Sequence, residues 1–266
     1  MIQQNIIQLN DEISYSSLFS ICTLVTRKNE YEEMLETFYT KGFTNENSEF
    51  LYIDNSETNK ADGYSGLNQF LAQSKGKYTI VCHQDIRLEF DNIYKLQECI
   101  KEIDKLDPNW SILGNAGVSC DFFTKHIRIT DPHGSDQRTS EFPAKVDSLD
   151  ENFLVIKNGL NIGLSRDLSG FHFYGTDLCL QSSLRGYSAY VINFHLRHLS
   201  PGNVDNYFYS CKKDLIKKYE YALRSRFIQT TCTYMYISSF TTLNTLFNNK
   251  LFFKFKKIFD GYKNNK

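Results

Sequence analysis

The chain has 266 residues, 41% of them apolar and 15% aromatic, enough to build one large core or a core with an appendage. No run of about 18 apolar residues occurs, and the start, MIQQNIIQLNDEIS, has no basic region ahead of an apolar one, so neither a membrane span nor a secretory signal is expected. The net charge of −1 conceals a split: residues 1–206 carry 18 basic and 28 acidic side chains, residues 207–266 carry 12 and 3, which marks the end of the chain as a basic segment with its own partner.

Residues 17–26, SLFSICTLVT, read as a buried strand, and 29–42, NEYEEMLETFYTKG, as a helix closed by Gly42. A second strand, EFLYIDNSE, ends at Asp54 and Asn55, and ADGYSGLNQFLAQSKG carries Leu67, Phe70 and Leu71 at helical spacing before Gly76. The stretch 77–90, KYTIVCHQDIRLEF, is an apolar strand that runs into His83, Gln84 and Asp85. DNIYKLQECIKEI then sets Ile93, Leu96, Ile100 and Ile103 on one helical face, and WSILGNAGV, 110–118, is a fourth strand. Strands and helices alternating at this pitch predict an α/β sandwich with a mostly parallel central sheet covered on both faces.

The polar stretch 130–143, TDPHGSDQRTSEFP, is expected to form a mobile loop, and 144–158 a further strand. Residues 173–202, FYGTDLCLQSSLRGYSAYVINFHLRHLSPG, read as a short helix closed by Gly186, a strand and a turn. Beyond 203 the pattern is helical and basic, so the expected domains are 1–205 and a helical extension over 206–266. Seven scattered cysteines without a CxxC pair predict reduced thiols used for packing, as in a cytosolic protein.

Ligands of open parallel sheets bind outside the carboxyl ends of the strands. Three polar groups fall at such ends: Asp54 with Asn55, His83 to Asp85, and His195 to His198. Alternation by two turns His83 and Asp85 to one side of an extended chain. There an imidazole and a carboxylate can hold a divalent ion and leave positions open for phosphate oxygens. H-x-D alone is a weak signal and fits better a strand-end Asp capping the next turn beside a satisfied His.

Taken in order, these segments resemble the family 2 glycosyltransferases, inverting enzymes with the GT-A fold. GKYTIVCHQD is similar to that family's G-x-Y-x-x-x-x-D-x-D, with His83 at the first Asp position and Asp85 at the second. FYGTDLCLQSSLRGY is similar to E-D-x-D-L-C-L-R-x-x-x-x-G-Y, with Asp177 at the catalytic aspartate, and HLRHLSPG resembles the late His-containing turn. The resemblance covers roughly residues 17–202, and it rests on order and spacing together.

The resemblance implies transfer of one sugar from a nucleotide-sugar donor, a UDP-sugar, to a hydroxyl of a glycan or lipid-linked glycan. It implies a divalent metal, Mn2+ or Mg2+, on His83, Asp85 and His198, with His195 competing for the last place. Thr26, Asp54, Asn55, His83, Gln84 and Asp85 become donor contacts, and Asp177, at a helix N-terminus, the general base. His133 and Asp150 are further candidates beside donor or acceptor. His83 in place of an Asp makes the metal site less anionic and favours manganese. Q-x-x-R-W is absent and Trp110 is the only tryptophan, which argues against a processive polysaccharide synthase.

The tail, NKLFFKFKKIFDGYKNN, interleaves Phe252, Phe253, Phe255 and Phe259 with Lys250, Lys254, Lys256 and Lys257. Such a helix can lie on the anionic inner face of a membrane or pack on the main domain. Nucleic acid is not an expected partner, because the acidic main domain repels phosphate backbones. The expected setting is therefore cytoplasmic, peripheral to the membrane, on the route to a cell-surface glycan. The rival is a non-catalytic module of the same fold; a nucleotidyltransferase would carry an early glycine-rich loop that TLVTRKNE lacks.

Overall fold

The computed structural model describes residues 13–121, 123–139, 141–249 and 252. Contacts divide the chain into two compact units, residues up to 212 and residues from 213 onward, where the sequence suggests a boundary at 205.

In the first unit β1 (Ser17–Val25) leads into α1 (Lys28–Thr40), which buries Tyr31, Met34 and Phe38 and gives way to Gly42 at φ +93°. β2 (Ser48–Asp54) precedes α2 (Gly63–Gln73), whose start is held by a reciprocal capping box of Asp62 and Ser65. β3 (Gly76–Cys82) is followed by the two-residue β4 (Ile86–Arg87). In α3 (Ile93–Leu106) the Asn92 side chain caps by accepting from Lys95 N at 3.1 Å, and the helix buries the expected stripe of Ile93, Leu96, Ile100 and Ile103. Next come β5 (Trp110–Gly114), β6 (Ala116–Ser119), β7 (Thr124–Asp131), β8 (Gly134–Arg138), β9 (Ala144–Val146), β10 (Ser148–Leu149) and β11 (Phe153–Lys157). α4 (Tyr174–Leu184), β12 (Ser188–Val191) and β13 (Leu196–His198) follow.

The larger sheet has the order β2-β1-β3-β11-β5-β12-β9. β1 runs parallel to β2 and β3, β5 runs parallel to β12, and β11 and β9 run against their neighbours. The sheet is thus mixed and mostly parallel, as the alternation of strands and helices predicts. A second sheet has the order β10-β6-β7-β13-β4, with β8 on β7. Phe19, Ile21, Ile80, Trp110, Phe153 and Val155 are wholly or almost wholly buried in the core between the sheet and its helices. Trp110 stacks on Tyr78 with ring centroids 5.9 Å apart, and its indole N–H donates to Asp104 Oδ1 at 2.7 Å. The seven cysteines are free thiols, five of them buried, in keeping with a packing role.

Three stretches differ from their reading in sequence. Residues 130–143 contain the end of β7 and all of β8, a hairpin whose turn is tied by Asp131 Oδ1 accepting from His133 N, Gly134 N and Gln137 Nε2. Its polarity reflects an exposed sheet face rather than a loose loop. Residues 110–118 are two strands, because the chain changes sheets at Asn115, which is fully buried, donates its side-chain amide to Arg128 O at 3.4 Å and accepts from Arg128 N on its backbone carbonyl at 2.8 Å. Residues 144–158 divide into β9, β10 and β11 in the same way.

Past the first unit the extension is not all helix. α5 (Asn206–Leu223) runs across the boundary, β14 (Arg226–Gln229) and β15 (Tyr234–Ile237) form an antiparallel hairpin, and α6 (Thr241–Phe247) follows. RFIQ and YMYI are short β-formers either side of a Thr-rich turn, a local preference that the basic composition conceals. Of the aromatic tail, only Phe252 lies within the described residues, in which no helix is long and apolar enough to cross a membrane.

A Cβ on Gly76, at the start of β3, would lie 2.5 Å from Ser20 N and 2.6 Å from Phe19 C on β1. Backbone cannot yield as a flexible side chain does, so Gly76→Ala is expected to lower stability by about 1 to 3 kcal/mol. A denaturant midpoint equal to that of the parent would contradict this packing.

Candidate metal centre

β3 lies in the middle of the large sheet, and its apolar run stops at Cys82. His83 N donates to Asn152 O at 3.0 Å, so the chain is still held to the β11 side when the polar residues begin. β4 then joins the second sheet by pairing antiparallel with β13, Ile86 opposite His198 and Arg87 opposite Arg197. Leu199 N donates to Asp85 O at 3.0 Å and extends that ladder. The pairing carries His198 across 115 residues of sequence to His83.

His83 Nδ1 lies 3.4 Å from His198 Nε2 and 3.9 Å from Asp85 Oδ1, and His198 Nε2 lies 3.3 Å from the same oxygen. Ligand atoms about 2.1 Å from one ion are themselves roughly 3 to 4 Å apart, so these three atoms fit a single divalent ion. The Asp85 and His198 side chains are about one-tenth exposed while His83 is 39% exposed, so the cluster is closed behind and open on the His83 side. Burial opposes the charge on Asp85, yet the hydrogen bond from His198 and the neighbouring imidazoles hold its carboxyl well below the usual range. Burial and His198 hold His83 below its ordinary value against the pull of Asp85, which favours the neutral imidazole a metal requires.

His83 Nε2 sits 2.9 Å from Tyr174 Oη, and that hydroxyl donates to Glu151 O at 3.4 Å. A hydroxyl already donating to a carbonyl accepts from the ring, which puts the proton on Nε2 and leaves the Nδ1 lone pair facing Asp85 and His198. Tyr174 therefore sets the tautomer of His83. Nothing in the linear sequence singles it out, because the contact spans 91 residues.

The open side of the cluster faces a cleft of about 250 Å3. Leu24, Leu67 and Val81 give it apolar wall, Thr26 and Arg27 line it at the end of β1, and Phe171 lies at the edge toward Tyr174. Gln84 braces this mouth: its Oε1 accepts from Thr26 N and Arg27 N, both at 2.9 Å, and its Nε2 donates to Thr26 Oγ1 at 2.8 Å. Thr26, His83, Gln84 and Asp85 thus line one cleft.

Other candidates stand elsewhere. Asp54 accepts from Ser56 N and Oγ and pairs with Lys28 at 3.0 Å; the Ser56 and Lys28 bonds hold its carboxyl far below the usual range. Asn55 is buried and spends its amide on Lys60 N and on both backbone groups of Ala61, which makes it a turn brace. His195 stacks on Phe90 at 3.8 Å and bonds Thr130 Oγ1 at 2.9 Å, so of the two late histidines His198 joins the cluster. His133 bonds Pro201 O at 3.0 Å.

Asp177 lies in the first turn of α4. It is wholly buried, and its two carboxylate oxygens accept from Ser165 N and Ser165 Oγ at 2.8 Å each. That geometry ties α4 to the segment before it and keeps the carboxylate out of solvent, and Asp177 is not among the residues that line the cleft. Tyr174 is the residue of α4's first turn that reaches the cluster. Besides Asp85, the carboxylates whose charges act on Tyr174 are those of Glu151 and Asp150, which line a second cleft of about 280 Å3. Burial, and next the Asp150 charge, push the Glu151 carboxyl up to about 8.

No family model matches the chain. A relative described as "ATP synthase subunits region ORF 6", from Fuscovulum blasticum, is 36% identical over 216 residues, which is 79% of this chain and 87% of its own length. Among solved structures, S. aureus TarS 1-349 in complex with UDP-GlcNAc is similar at 13% identity and a TM-score of 0.47, over 75% of this chain and 66% of that one. A197 from STIV is similar at 12% identity and a TM-score of 0.39, over 70% and 86%. The chain spans just under two thirds of that TarS chain, and at such scores the likeness is loose.

The position of Glu151 has a consequence for stability. An unfolded chain ionises this carboxyl from its ordinary value of 4.5 upward, while the fold keeps it protonated to about 8. The native state therefore loses stability relative to the unfolded one across that window and no more above it. Glu151→Gln, neutral throughout, is expected to match the parent near pH 4 and to gain on it progressively toward pH 8, as melting temperatures across the range will read. A difference independent of pH would place Glu151 in water.

Proposed function

Given that the chain belongs to the family of the Fuscovulum blasticum open reading frame 6 product, with which it shares 36% identity over most of both lengths, we propose that it is a metal-assisted glycosyltransferase using a nucleotide-sugar donor and inverting the anomeric centre. One observation carries the proposal. His83, Asp85 and His198 converge at the carboxyl end of a central parallel strand, at the mouth of a cleft whose other wall is the end of β1. Open α/β sheets take phosphate-bearing ligands at such strand ends. The order of segments resembling family 2 glycosyltransferases supports the same reading.

In this proposal the apolar wall of Leu24, Leu67 and Val81 takes the nucleobase, and Thr26 and Arg27 approach the ribose and phosphates. Asp54, at the end of β2 and already held by Lys28, keeps a donor role only at the rim of the site. His83, Asp85 and His198 would hold Mn2+ or Mg2+, which neutralises charge developing on a leaving diphosphate. The mixed nitrogen and oxygen donors favour manganese. UDP-sugars are the proposed donors, a glycan or lipid-linked glycan hydroxyl the acceptor, and the cytoplasmic face of a membrane the setting. A non-catalytic sugar-nucleotide-binding module is the second reading, favoured by the burial of Asp177.

Titration calorimetry of UDP with and without Mn2+ tests the centre. The parent is expected to bind UDP more tightly with the ion, and Asp85→Asn to lose at least about tenfold of that metal-dependent affinity at an unchanged melting temperature. His83→Asp is expected to keep binding and move its preference toward Mg2+, since oxygen replaces nitrogen. Equal affinity with and without the ion in all three proteins would remove the metal role.

A further inference from the structure

Tyr174 Oη links the metal centre to a residue of the cleft of about 280 Å3, since it lies 2.9 Å from His83 Nε2 and donates to the backbone carbonyl of Glu151 at 3.4 Å. Its lining combines Lys125, Asp150 and Glu151 with the rings of Phe173 and Phe208, whose centroids are 4.6 Å apart. Aromatic faces beside carboxylates suit a sugar ring, which presents C–H groups to the one and hydroxyls to the other.

The start of α4 shows how Glu151 comes to face this space. Phe173 holds the N-cap position in the left-handed region, φ +65°, and offers no side-chain cap. Gly175 N instead donates to Glu151 Oε1 at 3.2 Å. A Cβ on Gly175 would lie 2.5 Å from Leu149 O and 3.3 Å from Glu151 Cγ, so glycine keeps open the approach that the glutamate uses. A carboxylate serving only as a helix cap is stabilised in its charged form by the helix dipole. Here burial and the adjacent Asp150 outweigh that effect and leave a carboxyl of high proton affinity on the wall of a cleft. Asp177, by contrast, is buried against Ser165.

We propose that Glu151, rather than Asp177, takes the proton of the acceptor hydroxyl, and that the cleft it lines holds the acceptor's sugar ring against Phe173 and Phe208. The inference rests on the transferase reading above and deepens it. The acceptor oxygen forms its bond to the anomeric carbon of the donor sugar as the bond from that carbon to the diphosphate oxygen breaks. The hydroxyl proton passes to Glu151 in its ionised form, whose share grows as the pH rises toward 8, and the electron pair of the broken bond leaves on the nucleoside diphosphate. Tyr174 spans the two halves, orienting His83 on one side and contacting the Glu151 backbone on the other.

The experiment uses the full chain with Mn2+ and whichever of UDP-glucose, UDP-galactose and UDP-N-acetylglucosamine raises its melting temperature most, with water as acceptor and UDP release as readout. Glu151→Gln is expected to cut release by about a hundredfold or more while donor affinity stays within about threefold. Glu151→Ala is expected to regain part of its rate with added formate, a response that a helix-capping role would not give. Turnover within about threefold of the parent in Glu151→Gln overturns the proposal, as does a hundredfold loss confined to Asp177→Asn at an unchanged melting temperature. A parent that binds the donor and Mn2+ yet releases no UDP overturns it too, because a base in this position also activates water. Failure to bind any of the three donors removes the transferase reading itself, and the proposal with it.

Discussion

The two-residue ladder between β4 and β13 is the constraint on which the candidate centre depends. Ile86 faces His198 and Arg87 faces Arg197, and Leu199 N closes the pairing on Asp85 O. So short a ladder contributes little stability by itself. Its effect is positional: it joins the second sheet to the chain leaving β3 and puts His198 beside Asp85. Register matters as much as pairing, because a slip of one residue turns every side chain to the other face. Buried Ile86 and Leu196 fix that register by filling the core side of the pair.

Charge in this region is distributed by burial. Asp85 keeps its negative charge although little exposed, because His198 bonds it and His83 stands beside it. Glu151 has no cationic partner among its strongest neighbours, only Asp150 and the first backbone amides of α4, and so holds its proton to about 8. Two carboxyls on either side of Tyr174 are thus driven in opposite directions by their surroundings. The difference comes from what each can bond, not from depth alone.

Several polar residues that look like ligands in the sequence serve the scaffold. Asn55 braces a turn, His195 lies flat on Phe90, and Asp177 anchors α4 to Ser165. Each is a buried polar group with its hydrogen bonds made within the protein, the state such groups must reach to avoid the cost of desolvation. Gln84 combines both functions, since its amide ties down Thr26 and Arg27 at the edge of the cleft it also lines. A wall held in this way is ordered before any ligand arrives.

Local patterns determined much of the fold. Gly42 closing α1, the helical spacing of Leu67 and Phe70 in α2, the stripe of Ile93, Leu96, Ile100 and Ile103 in α3, and the apolar run ending before His83 are all short-range signals, and the structure has the helices and strands they predict. The spacing of two between His83 and Asp85 drew attention to the pair, yet what brings them together is a turn after β3, closed by Ile86 N donating to His83 O at 3.4 Å, and not an extended strand. What lay beyond the sequence were decisions made by contacts between distant segments. The change of sheet at Asn115, the choice of His198 over His195, the withdrawal of Asp177 and the contact of Tyr174 with His83 each join residues far apart in the chain or depend on such a join. A histidine or an aspartate reads the same in sequence whether it points into a cleft or into the core; only the packing of the second sheet against the first decides which.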